Sequence, residues 1–197
     1  MATEVALGFS SWQRVIDAVR QVNERLLRAT SVLNRAEIPY AVVGGNAVGV
    51  WVARIDKGGV RNTPDVNILL RRADLLAAIA VLETAGFFHR QTPNDHLFLD
   101  GPDGSPRAAV HVHMADELLR ENDLIRSPDV SESEAGEQFR LLSLEALVRM
   151  KLTSYRLKDQ VHLQDLLEVG LIDATWLGRF TPELAERLQR ILDNPHT

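Results

Sequence analysis

The chain has no cysteine, and this absence excludes disulfides, thiolate-bound metals and a cysteine nucleophile. No stretch is apolar for long enough to span a bilayer, and the first residues lack the apolar segment of a signal peptide. Positive charge is not in excess, because 22 basic residues stand against 27 acidic ones and the formal net charge is −5. General DNA binding is therefore not expected. A reducing cytoplasmic location without membrane attachment fits this composition.

The composition is otherwise ordinary for a folded protein. Hydrophobic residues make up 45% and charged residues 25% of the 197 positions, values close to the average of soluble globular domains. A chain of this length builds one domain with a substantial core more readily than two. We therefore expect a single domain with a helical part attached.

The first part of the chain, 1–114, predicts alternating helices and strands. Ser10 followed by Gln13 is typical of a helix start, and apolar residues then recur at helical spacing until Pro39. Gly86 is typical of a helix end, because glycine adopts positive φ easily. The remaining predicted elements are strand 40–43, helix 46–54, strand 65–70, helix 72–85, and strands 87–90, 96–99 and 108–114.

The second part of the chain predicts a connector followed by helices. Between 115 and 137 eight acidic residues stand against two arginines, a composition typical of a solvated and partly mobile segment. The predicted C-terminal helices are 143–157, 159–169, a short piece around Trp176, and 182–192 with Thr181 as its cap and Pro182 first. We therefore expect an α+β fold: a mixed sheet flanked by helices over 1–114, an acidic connector over 115–142, and a helical part over 143–197.

A glycine pair lies between the first strand and the helix that follows it. In Gly44-Gly45-Asn46 the backbone N–H groups of a helix start could hold a phosphate. The alternative is a turn that uses glycine only for its backbone freedom. Neither the P-loop pattern nor the dinucleotide-binding pattern is present.

Asp65 and Asn67 follow a polar loop that contains Arg61 and Thr63. Two residues apart on a strand, Asp65 and Asn67 point to the same face and could share a hard cation. The alternative is that Asp65 ends a turn while Asn67 faces water.

His111 and His113 share one face of a predicted strand. With Asp65 they could form a two-histidine, one-aspartate site for Zn²⁺, Mn²⁺ or Fe²⁺, and such a site would suit a metal-dependent hydrolase. The alternative is a pair of hydrogen-bonded histidines in an inactive cleft.

Lys151 continues an apolar helix stripe and therefore points towards the body of the domain. It either extends its amine to water along apolar surface or faces a cleft and binds phosphates. Asp159 either caps its helix or contributes to the same cleft. Asp165 either pairs with Lys158 or Arg156 on the surface or also belongs to the cleft.

The order of these motifs resembles the DNA polymerase β-like nucleotidyltransferase superfamily. The chain looks most like its small prokaryotic members, which are related to abortive-infection toxins of toxin–antitoxin type. The resemblance spans about 36–170, from the glycine pair and Asp65-Val66-Asn67 to a C-terminal run that is similar to the helical lysine and aspartate motifs of that branch. This run comprises 144–151, Arg156, Lys158, Asp159 and Asp165.

The resemblance implies a degenerate metal site. Asp65 matches the first metal-binding carboxylate, but Asn67 stands at the second position and His111 is the match to the third. Three carboxylates would offset most of the charge of two Mg²⁺ ions held about 3.5–4 Å apart, whereas one leaves their repulsion uncompensated. Two-metal nucleotidyl transfer is therefore not expected.

The resemblance also implies a function and a set of site residues. It predicts a catalytically impaired nucleotidyltransferase-like protein that binds a nucleotide, Mg²⁺ with NTP or a transition metal, in a cleft between the sheet and the C-terminal helices. Any residual transfer would go to a hydroxyl of RNA or protein. The matching catalytic positions are Asp65, Asn67, His111 and Lys151, and those around the nucleotide are Gly44, Gly45, Asn46, Arg61, Thr63, Lys151, Asp159 and Asp165.

Two other functions are open at this point. One is a non-catalytic module whose cleft binds a protein or RNA partner, and the other is the hydrolase built on His111, His113 and Asp65. The nucleotidyltransferase interpretation requires Asp65, His111 and Lys151 to converge around one pocket beside the glycine pair.

Overall fold

The computed structural model describes residues 2–92 and 95–194, which form one mixed sheet packed with helices. Its strands are β1 Tyr40–Val43, β2 Val66–Leu70, β3 Phe87–Gln91, β4 His96–Asp100, β5 Val110–Met114, β6 Ser133–Ala135 and β7 Arg140–Leu142. Its α-helices are α1 Ala2–Arg35, α2 Gly44–Ala53, α3 Leu75–Thr84, α4 Leu144–Ser154, α5 Leu157–Glu168 and α6 Pro182–Asp193. The predicted α+β class, with helices flanking a mixed sheet, is confirmed.

The sheet has the strand order β3-β4-β5-β2-β1-β7-β6, so β2 lies at its centre. β2 is antiparallel to β1 and parallel to β5. Val66 of β2 pairs with Val110 of β5, and both are fully buried. Because strand side chains alternate, Asn67 and its partner His111 lie on the other face. The polar side chains predicted for the site therefore share one side of the sheet.

α1 is longer than predicted. It begins at Ala2 rather than at Ser10, because the residues before Ser10 contain no proline and include good helix formers. Its second half buries Leu26 and Leu33 in the core, whereas Trp12 in its first half is exposed. Among residues 2–92 and 95–194 no helix combines the length and the hydropathy needed to cross a membrane.

The segment 115–142 is more ordered than a solvated connector. Asp129 accepts two hydrogen bonds from the guanidinium of Arg71, at 3.0 and 2.8 Å. The last part of this segment forms the β6–β7 hairpin. The hairpin joins the sheet by pairing β7 with β1, and it buries Leu141 and Leu142 completely. The segment predicted as an acidic connector therefore contains two short strands, which its short apolar run at Leu141 and Leu142 anchors in the sheet.

The bounds of several later elements differ from the prediction; α5, for example, begins at Leu157 rather than at Asp159. The strand expected over 108–114 begins at Val110, because Pro106–Ala108 forms a 3₁₀ turn. The first C-terminal helix ends at Ser154, and Tyr155 follows with a φ of +44°. Pro182 begins α6 as predicted, although no hydrogen bond from the helix start reaches the Thr181 side chain at the N-cap.

Candidate functional site

The glycine pair forms the junction between β1 and α2. Gly44 has a φ of +70°, a conformation that side chains disfavour. A Cβ atom at Gly44 would lie 3.0 Å from Cβ of Asn67, and one at Gly45 would lie 3.0 Å from Cβ of Thr63. Because Gly44 and Gly45 have no side chains, the first turn of α2 packs directly against Thr63 and Asn67, which lie two positions before and after Asp65. Val43, the N-cap residue, has no side-chain oxygen to accept from the N–H groups of this turn.

Asp65 is held by neutral hydrogen-bond donors. Thr63 Oγ1 donates to Oδ1 over 2.5 Å, and Asn67 Nδ2 donates to Oδ2 over 3.0 Å. The Asn46 side chain donates to the backbone oxygen of Asp65 over 2.8 Å. Burial acts to raise the pKa of Asp65, but these side-chain hydrogen bonds outweigh it and the pKa lies below its usual value. Asp65 is therefore a carboxylate at neutral pH.

His113, not His111, contacts the residues around Asp65. Its Nε2 atom lies 3.0 Å from Oδ1 of Asn67. His111 pairs with Asn67 along the strands, but its Nε2 atom lies 3.1 Å from the backbone oxygen of Pro106. We call Thr63, Asp65, Asn67 and His113 the Asp65 cluster.

The two-histidine, one-aspartate metal site predicted from the sequence does not form. Within the described part of the chain, no three histidine or acidic side chains are placed to hold one metal ion. The physical reason is that the ring of His111 turns to the loop at Pro106, while that of His113 is engaged by Asn67. The hydrolase built on Asp65, His111 and His113 therefore has no support in the geometry.

Lys151 is buried and bonded to Asp159. Its Nζ atom lies 2.8 Å from Oδ1 of Asp159, and the two residues are 5% and 0% exposed. Arg156 Nε and Ser154 Oγ donate to the other oxygen of Asp159, at 2.7 and 2.6 Å. Lys151 points inwards as predicted, but its amine neither reaches water nor stands free in a cleft. Asp159 also accepts from the backbone N–H of Arg156, so it helps to cap α5.

Asp165 pairs with Arg61 rather than with Lys158 or Arg156. Arg61 Nε donates to Oδ1 of Asp165 over 2.7 Å, and Asp165 is buried. This pair ties the loop before β2 to α5. Arg61 and Asp165 thus position the loop that carries Thr63.

Lys158, in the first turn of α5, is a functional candidate that the sequence analysis did not assign to the site. Its charge acts to lower the pKa of Asp65, so α5 brings a cation near that carboxylate. The charges of Arg156 and Lys151 act in turn on His113. Burial is the main cause that lowers the pKa of His113 to about 4. The sequence signal that could have pointed to Lys158 was its position next to Asp159 at the start of a helix.

The residues that the structure brings together are not the three that were expected to converge. The structure brings Gly44, Asp65 and Asn67 together, with His113 in contact and Lys151 close enough to act on it. The ring of His111 is directed away from this group.

The donor atoms of the Asp65 cluster do not suit a two-Mg²⁺ centre. Asp65 is its one carboxylate, and both of its oxygens already accept hydrogen bonds. Oδ1 of Asn67 is engaged with His113. The arrangement can hold a phosphate or a single hard cation, but it does not supply the negative charge that two closely spaced cations require.

The chain is similar to known proteins in its fold and not in its sequence. No family model and no curated protein matches the chain in sequence. Its structure is similar to the crystal structure of a proposed nucleotidyltransferase from H. pylori, with a TM-score of 0.52 and 17% identity over 90% of this chain and 77% of that one. It is also similar to JHP933 from Helicobacter pylori, with a TM-score of 0.51 and 18% identity over 89% and 75% of the two chains.

A third similar structure comes from another organism. An antigenic nucleotidyltransferase-like protein from Paracoccidioides brasiliensis matches with a TM-score of 0.50 and 15% identity, over 89% of this chain and 87% of that one. At these identities the likeness concerns the fold and not the chemistry. The chain therefore has a nucleotidyltransferase-like fold, with the glycine pair and the Asp65 cluster at the junction of β1, α2 and β2.

Proposed function

We propose that the protein binds a nucleoside triphosphate at the Asp65 cluster and is impaired in two-metal nucleotidyl transfer. The observation that carries this proposal is the contact of the first turn of α2 with Thr63 and Asn67, which frame a single carboxylate. The fold shared with nucleotidyltransferases agrees with it.

The charges around the site favour a phosphate-bearing ligand. The positive end of α2 offers backbone N–H groups, and its first turn contains no acidic residue. Lys158 adds a cation that is close enough to act on Asp65. Lys151 supports the site indirectly, because its pairing with Asp159 fixes the start of α5.

The same residues argue against efficient two-metal catalysis. Asn67 and His113 occupy the surroundings of Asp65 without adding negative charge. One Mg²⁺ that arrives with the triphosphate is compatible with Asp65, whereas a second would meet uncompensated repulsion.

Isothermal titration with ATP, GTP, CTP and UTP, with and without Mg²⁺, tests the proposal. We expect at least one nucleotide to bind, and Lys158→Gln to weaken its affinity about 5- to 10-fold, which corresponds to about 1–1.4 kcal/mol. Lys57→Gln is the matched control, because Lys57 is exposed and follows the opposite end of α2. An absence of heat at millimolar nucleotide would refute the proposal.

A further inference from the structure

The first half of α1 carries an apolar stripe that is open to solvent. Trp12, Val15, Ile16 and Val19 lie on one side of the helix and are 40–66% exposed. Single exposed apolar residues are common on folded proteins, but a contiguous patch of them is typical of an interaction surface. Among the helices of 2–92 and 95–194, α1 alone has more than one exposed large apolar residue. This patch therefore differs from the rest of the described surface.

The spacing of the stripe is typical of a seam between two helices. Its apolar positions alternate at intervals of three and four residues, the spacing with which helices pack along their length. These positions are Trp12, Val15, Val19, Val22, Leu26, Ala29 and Leu33. The last three are almost fully buried in the core. One stripe thus packs on the domain in the second half of α1 and remains available to a further helix in the first half.

The distribution of charge favours a second copy of the chain as the source of that helix. The positions that flank the seam within 11–23 are uncharged, so two identical seams meet without like charges in contact. These flanking residues are Ser11, Ile16, Ala18 and Asn23. A lipid surface would instead attract a helix with an excess of Lys and Arg on its polar face. Here the polar face is balanced between Arg14, Asp17, Arg20 and Glu24.

The body of the domain determines the direction of the second helix. From Leu26 onwards the seam side of α1 is filled by the core of its own domain, so a partner helix can follow the seam only as far as Val22. A parallel partner would bring its own body into the same space. An antiparallel partner places its body beyond the other end of the seam. Because α1 begins at Ala2, the centre of the free stretch lies close to Trp12.

We propose that two copies of this chain associate through the first halves of their α1 helices, which pack antiparallel along the seam from Trp12 to Val22. The contact is isologous, so each seam residue contributes to it twice. Trp12 lies close to the symmetry axis and contacts its own copy there. Tryptophan is enriched among the residues that dominate protein interfaces. The inference does not depend on the proposed nucleotide binding.

Sedimentation equilibrium of the full chain at about 1–200 µM tests the association, since a contact of this kind depends on concentration. We expect the mass of two chains at the upper end and a decline towards one chain on dilution. Val19→Glu places a charge in the seam of both copies and should weaken the association at least about tenfold. Gln21→Glu is the matched control, because it adds the same charge on the side away from the seam and should change the association less than about threefold. Urea unfolding should show both variants to be folded.

The antiparallel direction is tested with spin labels, which the absence of cysteine makes specific. Labels are attached to Gln13→Cys and, separately, to Gln21→Cys, and the distance between the two copies is measured by pulsed electron spin resonance. With the symmetry axis close to Trp12, the two labels at position 21 are separated by about 27 Å along the helix axis, whereas those at position 13 are nearly level. Equal distances for the two positions would overturn the antiparallel arrangement.

Three other results would overturn the proposed dimer. The first is the mass of a single chain at every concentration. The second is an equal effect of Val19→Glu and Gln21→Glu, which would mean that the chains meet on another surface. The third is a monomeric chain that co-sediments with vesicles of phosphatidylcholine and phosphatidylglycerol and loses this binding in Val19→Glu, because the stripe would then contact lipid.

Discussion

Asp65 and Asp159 are two carboxylates that hydrogen bonds hold in the charged form, but the hydrogen bonds come from different kinds of partner. Burial acts to raise the pKa of both, and in both the partners outweigh it. Asp159 is held by the cations Arg156 and Lys151 and is fully buried. Asp65 is held by the neutral side chains of Thr63 and Asn67. The negative charge of Asp159 is thus neutralised on contact, whereas that of Asp65 is not.

This difference separates a structural ion pair from a candidate binding site. A buried and fully paired charge fixes local geometry, here the turn between α4 and α5 around Lys151. A partly buried charge with neutral neighbours keeps its capacity to attract or repel a ligand. In the proposed site, Lys151 and Asp159 hold the start of α5 in place, while Asp65 is among the residues proposed to bind the ligand.

The largest effect that separates the two carboxylates is expected from Asp159→Asn. This change leaves Lys151 buried without an opposite charge and should lower the free energy of unfolding by about 3–5 kcal/mol. Urea unfolding measures it. Glu186→Gln is the matched control, because it breaks the exposed pair with Arg190 and should cost less than about 1 kcal/mol. Equal losses in the two variants would contradict the distinction.

A pH effect of intermediate size is expected beside the Lys151–Asp159 pair. Burial is the main cause that lowers the pKa of His162 to about 4, from an ordinary 6.5. The unfolded chain takes up this proton near pH 6.5 and the folded chain near pH 4, so stability is lost as the pH falls between these values. The slope is at most about 1.4 kcal/mol per pH unit for one such group.

Substitution of His162 by glutamine should make that decline shallower. Urea titrations of the unaltered chain and of His162→Gln at several pH values between 7 and 4 provide the measurement. Parallel stability curves would mean that His162 is protonated as easily in the folded chain as in the unfolded one.

The smallest effect on stability is expected from Asp65→Asn. The amide oxygen can still accept from Thr63, the hydrogen bond from Asn67 is lost, and no buried cation is left behind, so the free energy of unfolding should fall by about 1–2 kcal/mol. Nucleotide binding without Mg²⁺ should become tighter, since one negative charge near the phosphates is removed, and the effect of Mg²⁺ on binding should disappear. A loss of stability as large as in Asp159→Asn would show that Asp65 is a structural residue too.

The sequence predicted the framework of the site because local patterns determine it. The alternation of apolar and polar residues placed Asn67 on one face of β2, where it contacts Asp65, the residue just before the strand, and the helical stripe placed Lys151 inside. The glycine pair was recognised as a strand-to-helix turn for the same reason.

The partners of these side chains could not be predicted, because residues distant in the chain select them. Asp165 pairs with Arg61 across 104 positions, and no local pattern indicates this pair. His111 and His113 share a face, and only the neighbouring loop and Asn67 decide which ring joins the cluster.

Chemical-shift mapping of the ¹⁵N-labelled chain with ATP and Mg²⁺ tests the central claim most directly, namely that the glycine turn and the Asp65 cluster form a nucleotide site. We predict saturable shifts of the backbone amides of Gly44, Gly45 and Asn46 and of the first turn of α5, where Lys158 lies. Saturable shifts confined to any other part of the molecule, or no shifts at millimolar nucleotide, would contradict the account.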